Sequence, residues 1–434
     1  MGSYRSEYFS GAKAKLPLMK FRLSFLRYFF QRDRYPLFYI NSSRGGLLST
    51  NKMQKKLKIC KFTRFNNYYY FSLTVPHWPS KAFDRMVAGG GLNITAAGTP
   101  LKKQIDTVIM GITRLCPYKC SHCYEYYNLA GDDTVPIEIW KKTVSELQKA
   151  GVNIITFSGG EPMMRYQGLI ELLKTADHSL SDFHLHTSGY GVTEERAAGL
   201  KMEGLHAAGI GLDDVDPVRN DLFRGYKGAF DQAVNAIKCF REAGVLTYIN
   251  FCPSKEIIQS GNIYRYLEML KDLNVGFVRW LEPRPCGRYS DELPEDLISN
   301  EDCRILREIY FNMNAGPEYM DYPPVSYEAL TESPGNMGCM MAGNSLLYID
   351  SLGNVEPCVF LPVTFGNIVN EDISVILERM KRIIPRPLHT TCPSVLMSRK
   401  IKFKRANGAT LPINYEELTD EFSELEKSQM TISI

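Results

Sequence analysis

The sequence predicts an α/β fold built around a parallel sheet, and three observations point to it. From Asp106 onward short apolar runs alternate with amphipathic segments of helical period, six such strand–helix units follow one another, and glycines stand where helices should stop. Parallel neighbours need a crossover of a dozen or more residues, the length that each amphipathic segment supplies. The expected architecture is a partial (βα)6, TIM-like barrel followed by a small C-terminal domain of a β-hairpin and a helix.

The barrel elements read in order as strand Thr107–Ile112, helix Pro136–Ala150, strand Ile154–Phe157, helix Tyr166–Thr175, strand Phe183–Leu185 and helix Glu194–Leu205. They continue as strand Gly209–Leu212, helix Ala229–Ala243, strand Leu246–Phe251, helix Ile263–Leu273 and strand Phe277–Leu281. Gly151 after Ala150 and Gly244 after Ala243 suit the left-handed position that ends a helix. Upstream, the aromatic run Phe62, Phe65, Tyr68, Tyr69, Tyr70 and Phe71 reads as one or two strands, and Pro76, Pro79 and Gly89-Gly90-Gly91 mark loops.

A chain of 434 residues with 44% hydrophobic content has room for two or three domains with sizeable cores. Its net charge of +3 is unevenly spread: Met1 to Phe83 carry about sixteen Lys and Arg against Glu7 and Asp33. The apolar stretch from Leu16 to Ile40 is broken by Lys20, Arg22, Arg27, Arg32, Asp33 and Arg34, which argues against a membrane span. Residues 1–52 therefore read as a basic extension, disordered or outside the natural protein, with translation starting at Met53. A membrane-surface or nucleic-acid-binding arm and a transit peptide are the other readings. Residues 53–105 form N-terminal strands and a linker, 106–315 the barrel, 316–395 the small domain and 396–434 a tail.

Chemistry concentrates in Arg-Leu-Cys-Pro-Tyr-Lys-Cys-Ser-His-Cys-Tyr, where Cys116, Cys120 and Cys123 are separated by three and then two residues. One short loop can then hold three corners of an iron–sulfur cubane and leave one iron open for another ligand. A zinc knuckle, the alternative, would pair two close cysteines with a second close pair or a distant His, and His122 inside the loop faces away from a ligand role if its neighbours bind. Disulfides are disfavoured by eleven cysteines, an odd number, and by the lack of a signal-peptide pattern; a reducing, cytoplasmic compartment is expected. The loop follows the first barrel strand, so it belongs to the carboxyl-end rim where such barrels build their sites. Ser158-Gly159-Gly160-Glu161-Pro162 follows the second strand, its glycines allowing close backbone approach and its carboxylate able to accept from an ammonium group.

These two motifs together resemble the radical S-adenosylmethionine enzymes, over roughly Asp106 to Leu281. The resemblance implies that Cys116, Cys120 and Cys123 bind a [4Fe–4S] cluster whose open iron chelates the methionine moiety of S-adenosylmethionine. It also implies that Gly159, Gly160 and Glu161 hold the methionine amino group and that Tyr124 lies near the adenine. Thr187, Ser188 and Asp213 are candidates for the ribose hydroxyls, with helix capping as the alternative. Arg224, in an Arg-Gly pair like that of peptide-modifying members, is a candidate for the methionine carboxylate. Those relatives often carry Ser in the fourth strand where Gly211 stands here.

A second thiol pattern follows. Cys339 and Cys358 flank a hairpin of Leu346–Asp350 and Val355–Phe360 turning at Ser351-Leu352-Gly353-Asn354, and a helix Asp372–Arg382 then leads to Cys392. This resembles the C-terminal extension called SPASM, or its shorter form called twitch, and implies one auxiliary iron–sulfur cluster on Cys339, Cys358 and Cys392. The fourth position is left to substrate or to a distant group such as Cys286 or Cys303. A degenerate domain without a cluster is the alternative.

The expected function is reductive cleavage of S-adenosylmethionine to a 5′-deoxyadenosyl radical that takes hydrogen from a peptide or protein side chain. The strands around Tyr68–Tyr70 would offer an edge to an incoming peptide. A small molecule such as a sugar alcohol or nucleotide is the alternative substrate, and a noncatalytic iron–sulfur scaffold the alternative of another class. The electron donor is expected to be a flavodoxin or ferredoxin. The residue that gives or takes the substrate's hydrogen is not legible in the sequence.

Overall fold

The computed structural model describes residues 4–24, 56–58, 61–88, 105–129 and 131–430. Met53, Cys60 and the Gly89-Gly90-Gly91 loop lie outside the described residues.

A three-stranded antiparallel sheet opens the chain: β1 (Ser6–Phe9), β2 (Phe62–Phe65) and β3 (Tyr68–Tyr70), with Ser6 paired to Phe65 and Thr63 to Tyr70. Strand β1 and the helix Gly11–Ser24 are ordered parts of residues 1–52, the span expected to be a disordered or non-native extension. Side-chain pairing explains the order: the Ser6 backbone N–H donates to Asn274 at 2.8 Å and the Tyr8 hydroxyl to the Val275 carbonyl at 2.7 Å. The sheet is a lid on one end of the barrel, where Phe65, Tyr70 and Leu73 pack against Ala207, Leu246, Tyr248 and Phe277.

Six parallel strands follow in sequence order: β4 (Thr107–Gly111), β5 (Ile154–Ser158), β6 (Asp182–Thr187), β7 (Leu205–Gly211), β8 (Leu246–Phe251) and β9 (Phe277–Trp280). The expected six units are all present. Strand β7 begins four residues before the expected start, because the preceding helix stops at Met202 and Gly204, at φ +94°, turns the chain. Further strands extend this sheet at both sides. Strand β10 (Val325–Tyr327) runs parallel to β9, and β11 (Leu346–Ile349) runs parallel to β4 with Leu346 opposite Thr107. Strand β12 (Val355–Glu356) pairs antiparallel with β11 around the expected turn, Gly353 standing at φ +87°. It is shorter than the expected Val355–Phe360 because Pro357 has no N–H to continue the ladder. The order is β10-β9-β8-β7-β6-β5-β4-β11-β12, so the boundary expected after residue 315 falls inside one continuous sheet.

Alternation along the strands divides the side chains between two faces. Val108, Met110, Ile155, Phe157, Phe183, Leu185, Ile210, Ile249 and Val278 enter the main core with the helices. His184, His186, Tyr248, Asn250 and Arg279 share the other face by the same alternation, and there His186 Nε2 meets the Tyr248 hydroxyl at 2.9 Å with Arg279 over the Tyr248 ring.

Long separations in sequence close up at the lid end. His77 donates its backbone N–H and its Nδ1–H to Asp182 Oδ2, both at 2.8 Å, and the His206 ring stacks on His77 at 5.0 Å. Burial raises the Asp182 carboxyl, but the His206 and His77 imidazoles and the His77 hydrogen bonds outweigh this and hold it below the usual range. Among the described residues no helix is long and apolar enough to cross a membrane.

Candidate functional site

The Cys loop leaves the carboxyl end of β4, opposite the lid, and backbone contacts from three later segments hold it. Gly160 N–H donates to the Thr113 carbonyl and Glu161 N–H to the Leu115 carbonyl, each at 2.7 Å. A Cβ on Gly159 would stand 2.5 Å from the Thr113 oxygen, and one on Gly160 2.8 Å from the Leu115 carbonyl carbon. The two glycines therefore admit the Cys loop itself. From the next side, Ser121 N–H donates to the Phe223 carbonyl at 2.9 Å and Lys119 N–H to that of Arg224 at 3.2 Å. Arg288 N–H donates to the Cys123 carbonyl at 2.9 Å, and the neighbouring Gly287, at φ +54°, leaves no room there for a Cβ.

Cys116, Cys120 and Cys123 are free thiols, partly buried in this cradle. Burial pushes Cys116 up to about 12, and burial together with the neighbouring Cys120 charge pushes Cys123 well up, while the Arg224 guanidinium pulls Cys116 and Cys120 back down. Three thiolates that disfavour one another in a desolvated loop need a cation among them, so the donor set fits an iron–sulfur cluster. His122 does not join them: its ring stacks on Phe223 at 4.8 Å, and burial pushes it down to about 4.

Glu161, 1% exposed, is the hub of the next loop. Its Oε1 accepts from Met163 N–H at 3.0 Å and Thr187 Oγ1 at 2.7 Å, and its Oε2 from Ser188 N–H at 2.8 Å and Ser188 Oγ at 2.5 Å. Thr187 and Ser188 thus each donate a hydroxyl hydrogen to Glu161, which leaves their oxygens able to accept. Asp213 is engaged in a similar way: its Oδ2 lies 2.5 Å from Arg224 Nε and its Oδ1 accepts from Cys252 N–H at 2.8 Å. Arg224 is 8% exposed and faces Cys120, not solvent. The Tyr124 hydroxyl meets Ser158 Oγ at 2.9 Å, and its ring stands edge-on to Tyr348 of β11 at 5.7 Å.

The C-terminal segments gather the second set of thiols. Cys339 pairs with Leu388 in an antiparallel bridge, N–H to carbonyl at 2.7 and 3.0 Å, which brings Cys392 alongside, and Cys358 turns at the end of β12. Burial pushes Cys339 and Cys358 well up, and the Cys392 charge pushes both further. These thiols, Cys339 buried and Cys358 and Cys392 partly buried, also fit a cluster by their chemistry. Between the two sets lies a group that sequence spacing does not reveal. Glu125, Asp350 and Glu356 are buried together; burial and then Asp350 push Glu125 up to about 8 and Glu356 well up.

Residues 110–254 match the Radical SAM superfamily. The Fe-coproporphyrin III synthase of Methanosarcina barkeri is 31% identical over 201 residues, 46% of this chain and 49% of that protein. The AdoMet-dependent heme synthase of Nitratidesulfovibrio vulgaris is 26% identical over 284 residues, 60% of this chain and 75% of that protein. The chain thus spans about half the length of the first of these relatives. Among solved structures, Streptococcus suis SuiB bound to its precursor peptide SuiA is similar with a TM-score of 0.52 at 16% identity, over 63% of this chain and 65% of that one. SuiB bound to S-adenosylmethionine gives a TM-score of 0.50 at 16% identity, over 64% and 65%.

Proposed function

The chain carries a radical SAM domain at residues 110–254, and from that premise we propose that it takes hydrogen from a substrate bound between its two sets of thiols. The observation that carries this reading is the pressing of Gly159 and Gly160 onto the loop of three partly buried thiols. In the proposal Cys116, Cys120 and Cys123 hold a [4Fe–4S] cluster, and Cys339, Cys358 and Cys392 hold an auxiliary one. A reduced cluster supplies the electron that splits S-adenosylmethionine into methionine and a 5′-deoxyadenosyl radical. A low-potential ferredoxin or flavodoxin is the proposed source of that electron.

The remaining roles belong to the protein's own residues. Backbone groups of Gly159 and Gly160 orient the methionine amino group beside the cluster loop. Glu161 acts through the turn it fixes with Thr187 and Ser188, because its carboxylate already accepts four hydrogen bonds. Arg224 offers the buried positive charge for the methionine carboxylate and is aimed by Asp213. Tyr124, anchored on Ser158, flanks the adenine.

For the substrate, the relatives' names point to heme and iron coproporphyrin, and we take a carboxylate-bearing tetrapyrrole as the leading class. Arg279, buried and paired with Glu328, and Arg284, partly buried and paired with Glu282 at 2.9 Å, are guanidiniums that such carboxylates would engage. The peptide reading loses its edge strand: Tyr69 of β3 is already bridged to Trp78, N–H to carbonyl at 2.7 and 2.8 Å, on the lid. Deuterium transfer into 5′-deoxyadenosine separates the classes. Transfer from a side-chain-deuterated porphyrin carboxylate supports the tetrapyrrole; transfer only from a deuterated peptide overturns it.

A further inference from the structure

The helix Pro217–Arg224 has two unlike faces. Its inward face carries Asn220 and Arg224, both buried and four residues apart: Asn220 Oδ1 accepts the Asp213 N–H at 3.0 Å, and Arg224 meets the Asp213 carboxylate. Its outward face carries Val218 and Leu222, also four residues apart, which are 68% and 74% exposed. Single exposed apolar side chains are ordinary, so this pair gains meaning only from what lies beneath it.

Beneath it is the Cys loop. The last turn of the helix joins that loop at three points: Ser121 N–H donates to the Phe223 carbonyl at 2.9 Å, Lys119 N–H donates to the Arg224 carbonyl at 3.2 Å, and the Phe223 ring stacks on His122 at 4.8 Å. His122 stands between Cys120 and Cys123 in the chain, so one residue, Phe223, separates the exposed Leu222 from the thiol loop. Gly225 ends the helix at φ +60° and is itself exposed; a Cβ on it would stand 2.5 Å from the Lys119 oxygen, so bare backbone keeps the cover over the loop thin.

Charge gives the sign of a partner. Lys119 and Lys227, next to this last turn, are exposed, and neither is paired with a carboxylate among the described residues. The acids of the helix and its approach are turned to donors of the protein itself. Asp214 accepts from the Arg219 guanidinium at 2.9 Å, Asp216 from the Arg219 N–H at 3.0 Å, and Asp221 from the Gly228 and Phe230 N–H groups at 2.5 and 2.9 Å. The two ammonium groups are left to meet a partner.

We propose that the outward face of Pro217–Arg224, with Lys119 and Lys227, is where an acidic ferredoxin docks to pass its electron to the cluster of the Cys loop. The inference rests on the radical chemistry of the preceding section, which needs one low-potential electron at that loop for each S-adenosylmethionine split, and it adds the place of entry. In the transfer the ferredoxin is oxidised by one electron and the cluster reduced by one; no bond and no proton moves. Two apolar side chains beside two cations suit the small, short-lived contacts of electron carriers, which bury less than about 1,200 Å². Opposite charge at such a contact speeds the encounter more than it tightens it.

The test uses the full, anaerobically reconstituted chain with two reductants: a reduced acidic [4Fe–4S] ferredoxin, and titanium(III) citrate, which needs no docking face. Release of 5′-deoxyadenosine is followed against ferredoxin concentration, and ferredoxin binding is measured separately by calorimetric titration. Leu222→Asp and Lys227→Glu should each raise the half-saturating ferredoxin concentration and the dissociation constant about five- to tenfold, and leave titanium-driven release unchanged. Met202→Asp, at a position 84% exposed on the helix Glu194–Met202, should change neither. Added salt should weaken ferredoxin binding, and less so in Lys227→Glu. Ferredoxin binding and ferredoxin-driven release untouched by both variants overturn the docking face and leave the radical reading standing, as does a chain that titanium(III) citrate turns over and ferredoxin does not. Leu222→Asp slowing both reductants alike marks a structural role and overturns it too. A dimer of the unaltered chain that Leu222→Asp dissociates, with ferredoxin binding unchanged, gives the face to a second copy and overturns the proposal. No release with titanium(III) citrate from the unaltered chain overturns the radical reading and this inference together.

Discussion

The guanidinium of Arg224 occupies the space that a side chain on Gly211 would need: a Cβ there would stand 2.6 Å from Arg224 Cζ. The absence of a side chain in the fourth strand is what lets a buried Arg reach Asp213 beneath the Cys loop.

Gly211→Ser should therefore displace Arg224 and strand the buried Asp213 carboxylate. Breaking a buried pair from one side costs about 3–5 kcal/mol. A drop of that order in urea-melt stability is expected, with weaker binding of S-adenosylmethionine by equilibrium dialysis; unchanged values in both would contradict the packing described.

Gly287→Ala should loosen the radical cluster. Its φ of +54° costs an L residue about 1–2 kcal/mol by itself, and the added methyl would collide with Cys123 O and Tyr124. Gly408, at φ +92° with nothing within 4 Å of its would-be Cβ, isolates the conformational cost. Iron content after reconstitution should fall in Gly287→Ala and hold in Gly408→Ala; equal loss or equal retention would argue that Gly287 serves only its backbone angle.

How much of this was legible beforehand depended on distance along the chain. The six parallel strands announce themselves because alternation and helical period are local, and the thiols of Cys116, Cys120 and Cys123 because their spacing is short. Arg224 and Asp213 were readable as candidates, but not as partners, since a pair eleven residues apart across a strand end has no period. The joining of β11 to β4, the pairing of β1 with β2 and the meeting of His77, Asp182 and His206 depend on contacts far apart in sequence, which pattern cannot carry. Gly287 has no motif in the sequence, being an isolated glycine after a cysteine; only the Cys123 carbonyl in front of it explains the choice.

Acid should weaken the fold through buried neutral histidines. Burial pushes His184 down to about 3 and His206 down to about 4, from an ordinary 6.5. The unfolded chain binds protons at 6.5 that the folded chain refuses until those lower values. The stabilisation is therefore complete above 6.5 and is lost as pH falls through the interval, by up to about 1.4 kcal/mol per pH unit per histidine. Denaturant melts between pH 7.5 and 5 should show this decline, and His206→Gln should make it shallower. An identical slope in the variant would contradict the assignment.

Removal of the second thiol set should halve the iron. The unaltered chain is expected to hold about eight irons after anaerobic reconstitution, and Cys339→Ala or Cys358→Ala about four. An iron count that these substitutions leave unchanged would contradict an auxiliary cluster on Cys339, Cys358 and Cys392.

The most direct test of the central claim is the release of 5′-deoxyadenosine from S-adenosylmethionine by the anaerobically reconstituted, chemically reduced protein. The account predicts its formation, abolished by Cys120→Ala. Intact S-adenosylmethionine beside a spectroscopically intact, reduced cluster would contradict it and favour a scaffold in which the clusters serve only the fold.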